Sequence, residues 1–198
     1  MLITQRWIHS RRTFSNNSYV DRRFNNYGPL CAINDDTLFP GYTIPEHSHA
    51  GLDILGYMLE GELEHWDSRG NLSRVGPLQV QHMSTGPGIS HTEKCTSTVP
   101  AKYVQIWIKQ SIPTADSYYE IYNRSSEFSV LKINLASKIR VSAGNLKERY
   151  AVSGAAYMQC IDGKCIVGDQ IINSGDGGEL SNEVIEPAPA AHVIVFEL

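Results

Sequence analysis

The sequence predicts an all-β protein built as a sandwich or jelly-roll barrel, and three observations carry that prediction. Short apolar runs alternate with a period of two, as in L-Q-V-Q-H-M (78–83) and Y-V-Q-I-W-I-K (103–109). Turn residues break these runs at short intervals, among them D-S-R-G-N (67–71) and G-P-G (86–88). Helix signals are few.

Taken in order, residues 1–28 are polar with scattered aromatics (Trp7, Phe14, Tyr19, Phe24, Tyr27) and show neither period. They are expected to form an irregular wrap anchored by those rings. P-L-C-A-I-N (29–34) reads as a short strand ended by an Asp35-Asp36 turn. Residues 37–44 read as another, bent at Pro40-Gly41. A long strand-like run from Asp53 is interrupted at Gly61. The run 103–109 is expected to close the first sheet system. Residues 110–127 look like a linker with at most one helical turn. Strand patterns resume in F-S-V-L-K-I-N-L, in A-Y-M-Q-C-I-D-G-K-C-I-V-G with a turn at Asp162-Gly163, and in the closing H-V-I-V-F-E-L. The expected division is a first domain at 1–112, a linker at 113–127 and a second domain at 128–198.

Composition bounds the function. The 198 residues allow one large domain or two small ones, and 41% hydrophobic content suffices for a packed core. Net charge is −4, and Arg11-Arg12 and Arg22-Arg23 are too short to make a basic stripe, so no direct nucleic-acid partner is expected. No segment approaches the ~20 apolar residues of a membrane helix. The first ten residues lack the apolar core of a secretory signal. A soluble, cytoplasmic protein with no membrane partner is expected. None of the four cysteines forms C-x-x-C. Two buried thiols at Cys160 and Cys165 are favoured over a cross-hairpin disulfide. Cys95, two residues past Glu93, either lies near the site or simply packs.

The chemistry concentrates between Pro45 and Glu93. P-E-H-S-H-A-G offers His47 and His49, and G-P-G-I-S-H-T-E offers His91 and Glu93. Each pair is spaced i, i+2, which places both side chains on one face of a strand. One such pair arises easily by chance, and the bland reading is four polar residues facing solvent. Two pairs flanking a strand–turn–strand segment favour convergence inside a barrel. Three imidazoles and a carboxylate make a nitrogen/oxygen donor set suited to iron(II), manganese, nickel, copper or zinc. Binding should weaken in acid as imidazoles of free pKa about 6.5 take up protons. His65 and His82 lie on nearby strands, where either could orient a ligand from behind. For His65 the reading as a satisfied strand residue is favoured, whereas for His82 the two readings stand even. Glu60, Glu62 and Glu64 read as a solvated acidic edge.

These motifs resemble the pirin family of the cupin superfamily. The resemblance runs through R-R-T-F-S, G-P-L-C-A-I-N-D-D, P-E-H-S-H-A-G-L-D, Y-M-L-E-G-E-L-E-H-W-D-S-R-G-N and Q-H-M-S-T-G-P-G-I-S-H-T-E. It covers about the first 110 residues well and the rest loosely. It implies two jelly-roll (cupin) β-barrels, the second shortened, with metal only in the first. It places the family's ligand set on His47, His49, His91 and Glu93, for one divalent ion with iron(II) expected first. It implies a dioxygenase that opens a flavonol such as quercetin, with dioxygen and a small chelating aromatic as substrates and Glu93 as general base. The alternative is a metal-dependent, redox-sensing module that binds a protein partner, as some eukaryotic relatives do. The chain departs from the family at Ala50, where arginine is usual, at G-L-D (51–53) in place of G-F-E, and at His82, where an aromatic is common.

Overall fold

The computed structural model describes residues 2–15, 20, 22 and 24–198, and the described residues contain no helix. Every strand pair is antiparallel. The chain divides into two compact units, Met1–Arg124 with Ile133–Ser137, and Ser125–Lys132 with Lys138–Leu198.

Among the described residues the first unit carries eleven strands: β1 (Leu2–Thr4), β2 (Ile8–Thr13), β3 (Leu30–Leu38), β4 (Thr43–His49), β5 (Leu52–Glu60), β6 (Leu63–Asp67), β7 (Leu72–Val75), β8 (Gln79–Ser84), β9 (Ile89–Cys95), β10 (Ala101–Lys109) and β11 (Tyr118–Asn123). Seven form one sheet in the order β1-β2-β3-β10-β5-β8-β11. Four form a second, β4-β9-β6-β7. Leu38, Met58, Leu63, Val75, Ala101 and Tyr103 pack into one buried cluster. Each such large apolar side chain contributes about 1.5–3 kcal/mol by leaving water.

Several local expectations change. The amino-terminal segment is not an irregular wrap, since β1 and β2 extend the large sheet beside β3. Trp7 does pack on the core cluster, whereas Tyr19 lies outside the described residues. Asp35-Asp36 is not a turn, because β3 runs through it. Asp36 faces inward and is buried, while Asp35 meets Arg11 at 2.7 Å. Short polar residues favour turns only where the backbone lacks better partners. Here β2 and β10 supply a hydrogen-bond ladder on both sides. The segment read as a linker holds β11, which pairs along the whole of β8. The run 103–109 belongs to β10, which lies inside the sheet between β3 and β5.

The second unit holds β12 (Ser129–Val130), β13 (Arg140–Leu146), β14 (Tyr150–Ala151), β15 (Ala155–Val167), β16 (Gln170–Asn173), β17 (Gly177–Ser181) and β18 (Val184–Glu197). Its core is Met158, Val193, Val195, Ile185, Leu180 and neighbours. Asp162-Gly163 is not a hairpin turn. It lies within β15, at two register shifts against β18. Cys160 and Cys165 are buried free thiols on that strand.

Candidate metal centre

The small sheet builds the site through its register. On β9, Ile89, His91, Glu93 and Cys95 share one face. On β6, Asp67 stands opposite His91 and His65 opposite Glu93. On β4, His47 stands opposite His91 and His49 opposite Ile89. The β4–β9 register slips by one residue between Ile44 and His47. Continuing the Ile44–Glu93 register without that slip would turn Glu46 and Ser48 inward. The extra residue, at Pro45-Glu46 on an edge strand, is what turns both histidines in.

Two overlapping donor groups result, and between them they contain all four expected ligands. His47, His49 and His91 converge, with ligand atoms within 4.8 Å of one another. So do His65, His91 and Glu93. Among the buried side-chain atoms without a hydrogen-bond partner are His49 Nε2, His65 Nδ1 and both nitrogens of His91. Buried polar atoms seldom stay unpaired, and neutral imidazoles with free lone pairs fit a divalent ion of the imidazole-accepting class. His47 Nδ1 donates to the Pro45 carbonyl at 2.9 Å, which leaves its Nε2 lone pair free.

Protonation follows burial. Burial, with the imidazoles of His47, His65 and His49 adding to it, pushes His91 down to about 2. Burial and His47 hold His49 down to about 4. Burial pushes the Glu93 carboxyl up to about 7 against the pull of the Gln81 hydrogen bond, and the nearby Asp36 adds to the rise. Burial thus keeps the His91 and His49 rings neutral and the Glu93 carboxyl protonated into the neutral range, so Glu93 adds to the acid sensitivity expected of the imidazoles.

Glu93 is held by residues the sequence reading missed. Gln81 Nε2 donates to Oε1 at 2.6 Å, and Gln105 Nε2 donates to Oε2 at 3.2 Å. Tyr119 donates its hydroxyl to Gln81 Oε1 at 3.0 Å, and Trp107 Nε1 donates to Gln105 Oε1 at 2.8 Å, so both amides are fixed in orientation. Gln105, Gly56 and Gln81 lie side by side across β10, β5 and β8. A Cβ at Gly56 would sit 2.5–2.9 Å from Gln81 side-chain atoms, so the glycine makes room for that amide. The available signal was Gln105 in the middle of the otherwise apolar run 103–108, a buried amide in need of a partner.

The two weighed histidines separate. His65 belongs to the site. It stacks on Tyr119 with ring centroids 4.1 Å apart at 12°. His82 does not. Neighbouring strand residues face opposite ways, so Gln81 points at Glu93 and His82 points to the far side, where its Nε2 meets Asp53 Oδ1 at 3.0 Å. Asp53 also accepts from Gln110 Nε2 and the Ala136 amide. Cys95 packs in the apolar cluster with its Sγ turned to Val99 O.

An antiparallel jelly roll with an inward-facing array of histidines and a glutamate defines a metal-binding protein of the cupin class. The Pirin family profile matches residues 1–108, and the chain belongs to that family. Quercetin 2,3-dioxygenase of Escherichia coli K12 is 42% identical over 103 residues, 52% of this chain and 45% of that protein. A pirin-like protein of Caulobacter vibrioides is 36% identical over 103 residues, 52% of this chain and 44% of its own length. The match thus spans about half the length of these relatives. The structure of the bacterial pirin YhhW from Escherichia coli in complex with nickel(II) superposes with a TM-score of 0.94 at 25% identity, covering 100% of this chain and 94% of that one. Oxalate decarboxylase of Bacillus subtilis, at 11% identity and a TM-score of 0.68, covers 100% of this chain and 74% of its own and shares the fold.

Proposed function

We propose that this pirin is a metal-dependent dioxygenase acting on a small aromatic chelator of the flavonol type, with iron(II) as the first metal to test. The observation that carries the reading is the set of unpartnered, buried imidazole nitrogens beside Glu93, next to a cavity of about 210 Å³ that His47 and His49 help to line. The name of the Escherichia coli relative and the nickel-bound pirin structure support it. His47, His49, His91 and Glu93 would hold the ion, which supplies Lewis acidity toward a hydroxyl–keto pair and a route for electrons to dioxygen.

The chain's own residues do the rest. Trp7, Ile44 and Trp107 give the cavity apolar walls suited to a flat ring, and Ser10, Asn34, Asp36 and Gln105 give it polar edges. The Pro45 carbonyl sets the His47 tautomer. Glu93 would serve as general base toward a phenolic hydroxyl once it swings off the ion. Gln81 and Gln105 keep that carboxylate oriented while it does so. The test is aerobic consumption of quercetin by iron-, manganese-, nickel- and copper-reconstituted protein, with an anaerobic control. Turnover is expected in at least one form and should vanish with chelator. If no metal form outpaces His47→Ala, the reading fails, and a role in binding a protein partner without turnover takes its place.

A further inference from the structure

Asp36 keeps hydrogen-bonding capacity in the wall of the cavity. It stands on β3, where Asn34 and Asp36 turn inward together, and it is 5% exposed. Ser10 on β2 and Tyr103 on β10 are its partners across the sheet. Gln105, a polar neighbour in the same wall, donates its amide to Glu93 and accepts from Trp107. Asp36 Oδ1, by contrast, has no hydrogen-bond partner. Folded chains seldom keep a buried carboxyl oxygen in that state, because desolvation without a partner is unfavourable. Burial raises this carboxyl to about 7, although the charge of Arg12 pulls it down. The cavity that Asp36 and Arg12 line from the large sheet is the one that His47 and His49 line from β4, with Trp7 and Trp107 between.

We propose that Asp36 is a specificity-determining residue: it pairs with a neutral ring hydroxyl of the aromatic ligand, away from the hydroxyl–keto pair that chelates. The two charged side chains select that group. A carboxylate on the ligand would meet Asp36, and an ammonium would meet Arg12. A hydroxyl both donates and accepts, so it suits the two together. Trp7 and Trp107 offer flat apolar faces to the rings and leave the ring edges to the polar wall. A ligand without that hydroxyl would shut Oδ1 away from water with nothing to bond, so the site rejects it.

This inference deepens the flavonol reading and rests on it for the ligand class. Its test reads binding rather than turnover. Calorimetric titrations of zinc-loaded, full-length protein compare quercetin with 3-hydroxyflavone, which keeps the chelating pair and lacks every other hydroxyl. Quercetin is expected to bind at least about tenfold more tightly. Asp36→Leu, which puts an apolar group of similar size in place of the carboxyl, should abolish that preference by weakening quercetin alone. Asp36→Asn, which keeps a hydrogen-bonding group, should retain most of it. In the unaltered chain with ¹³C-labelled aspartate, the Asp36 carboxyl signal, assigned by its loss in Asp36→Asn, should move with quercetin and stay in place with 3-hydroxyflavone. That measurement does not depend on how well Asp36→Leu folds. Equal binding of the two compounds, a preference that survives Asp36→Leu, or an unmoved Asp36 signal would overturn the inference and leave the flavonol reading standing. If neither compound binds, the flavonol reading fails and the inference falls with it.

Discussion

At the scale of single residues, Glu93 decides how the centre responds to acid. Its carboxyl, ordinarily near 4.5, is raised to about 7 by burial. An ion that binds there must displace the proton that Glu93 carries below that value. His91 and His49, lowered to about 2 and about 4, are already neutral across the same range and release none. Metal affinity should therefore fall below about pH 7 with at least the roughly tenfold-per-unit slope of that one proton, and level off above it. Competition titrations with a chromophoric chelator between about pH 5 and pH 8 would check this. A slope of several protons would return the acid sensitivity to the imidazoles.

At the scale of the element, β4 shows how one residue sets which side chains reach a site. The histidines face in because the strand carries an extra residue at Pro45-Glu46. Deleting Glu46 removes the slip but leaves His47 opposite His91, so metal content should persist. Deleting Ser48 puts the two histidines next to each other, on opposite faces, and should cost the protein one donor and most of its metal. Elemental analysis of both deletion proteins distinguishes them. Equal loss from both would show that the extra residue does more than set the face.

For the whole molecule, both donor groups lie in the first unit, while Met158, Val193 and Val195 centre the core of the second. Met158 is fully buried. Met158→Ala should cost about 2–5 kcal/mol in urea unfolding through lost burial and the cavity left behind. Its metal content should match the unaltered chain, because Met158 packs in the core cluster of the second unit while the donor groups belong to the first. Loss of metal from this variant would overturn that separation. The two units also differ in what strand pairing leaves inside them: a polar row of Asn34, Gln105 and Gln81 crosses the large sheet of the first, whereas the second is lined by aliphatic side chains.

The sequence by itself determined the all-β class, the family and the two i, i+2 ligand pairs, because period-two alternation and turn residues are local properties. It could not determine register. Asp35-Asp36 reads as a turn until β2 and β10 pair on either side of β3. Gln81 and His82 are adjacent in sequence, and only pairing across β5 shows that the glutamine, not the histidine, serves Glu93. Two departures from the family pattern, Asp53 and His82, lie far apart in the sequence, yet they form one fully buried pair on the far side of the sheet. That His65 comes within reach of His91 and Glu93 was likewise decided only in three dimensions. Side-chain spacing along a strand fixes which residues travel together, but the face they reach depends on partners dozens of residues away and on a single extra residue at Pro45-Glu46.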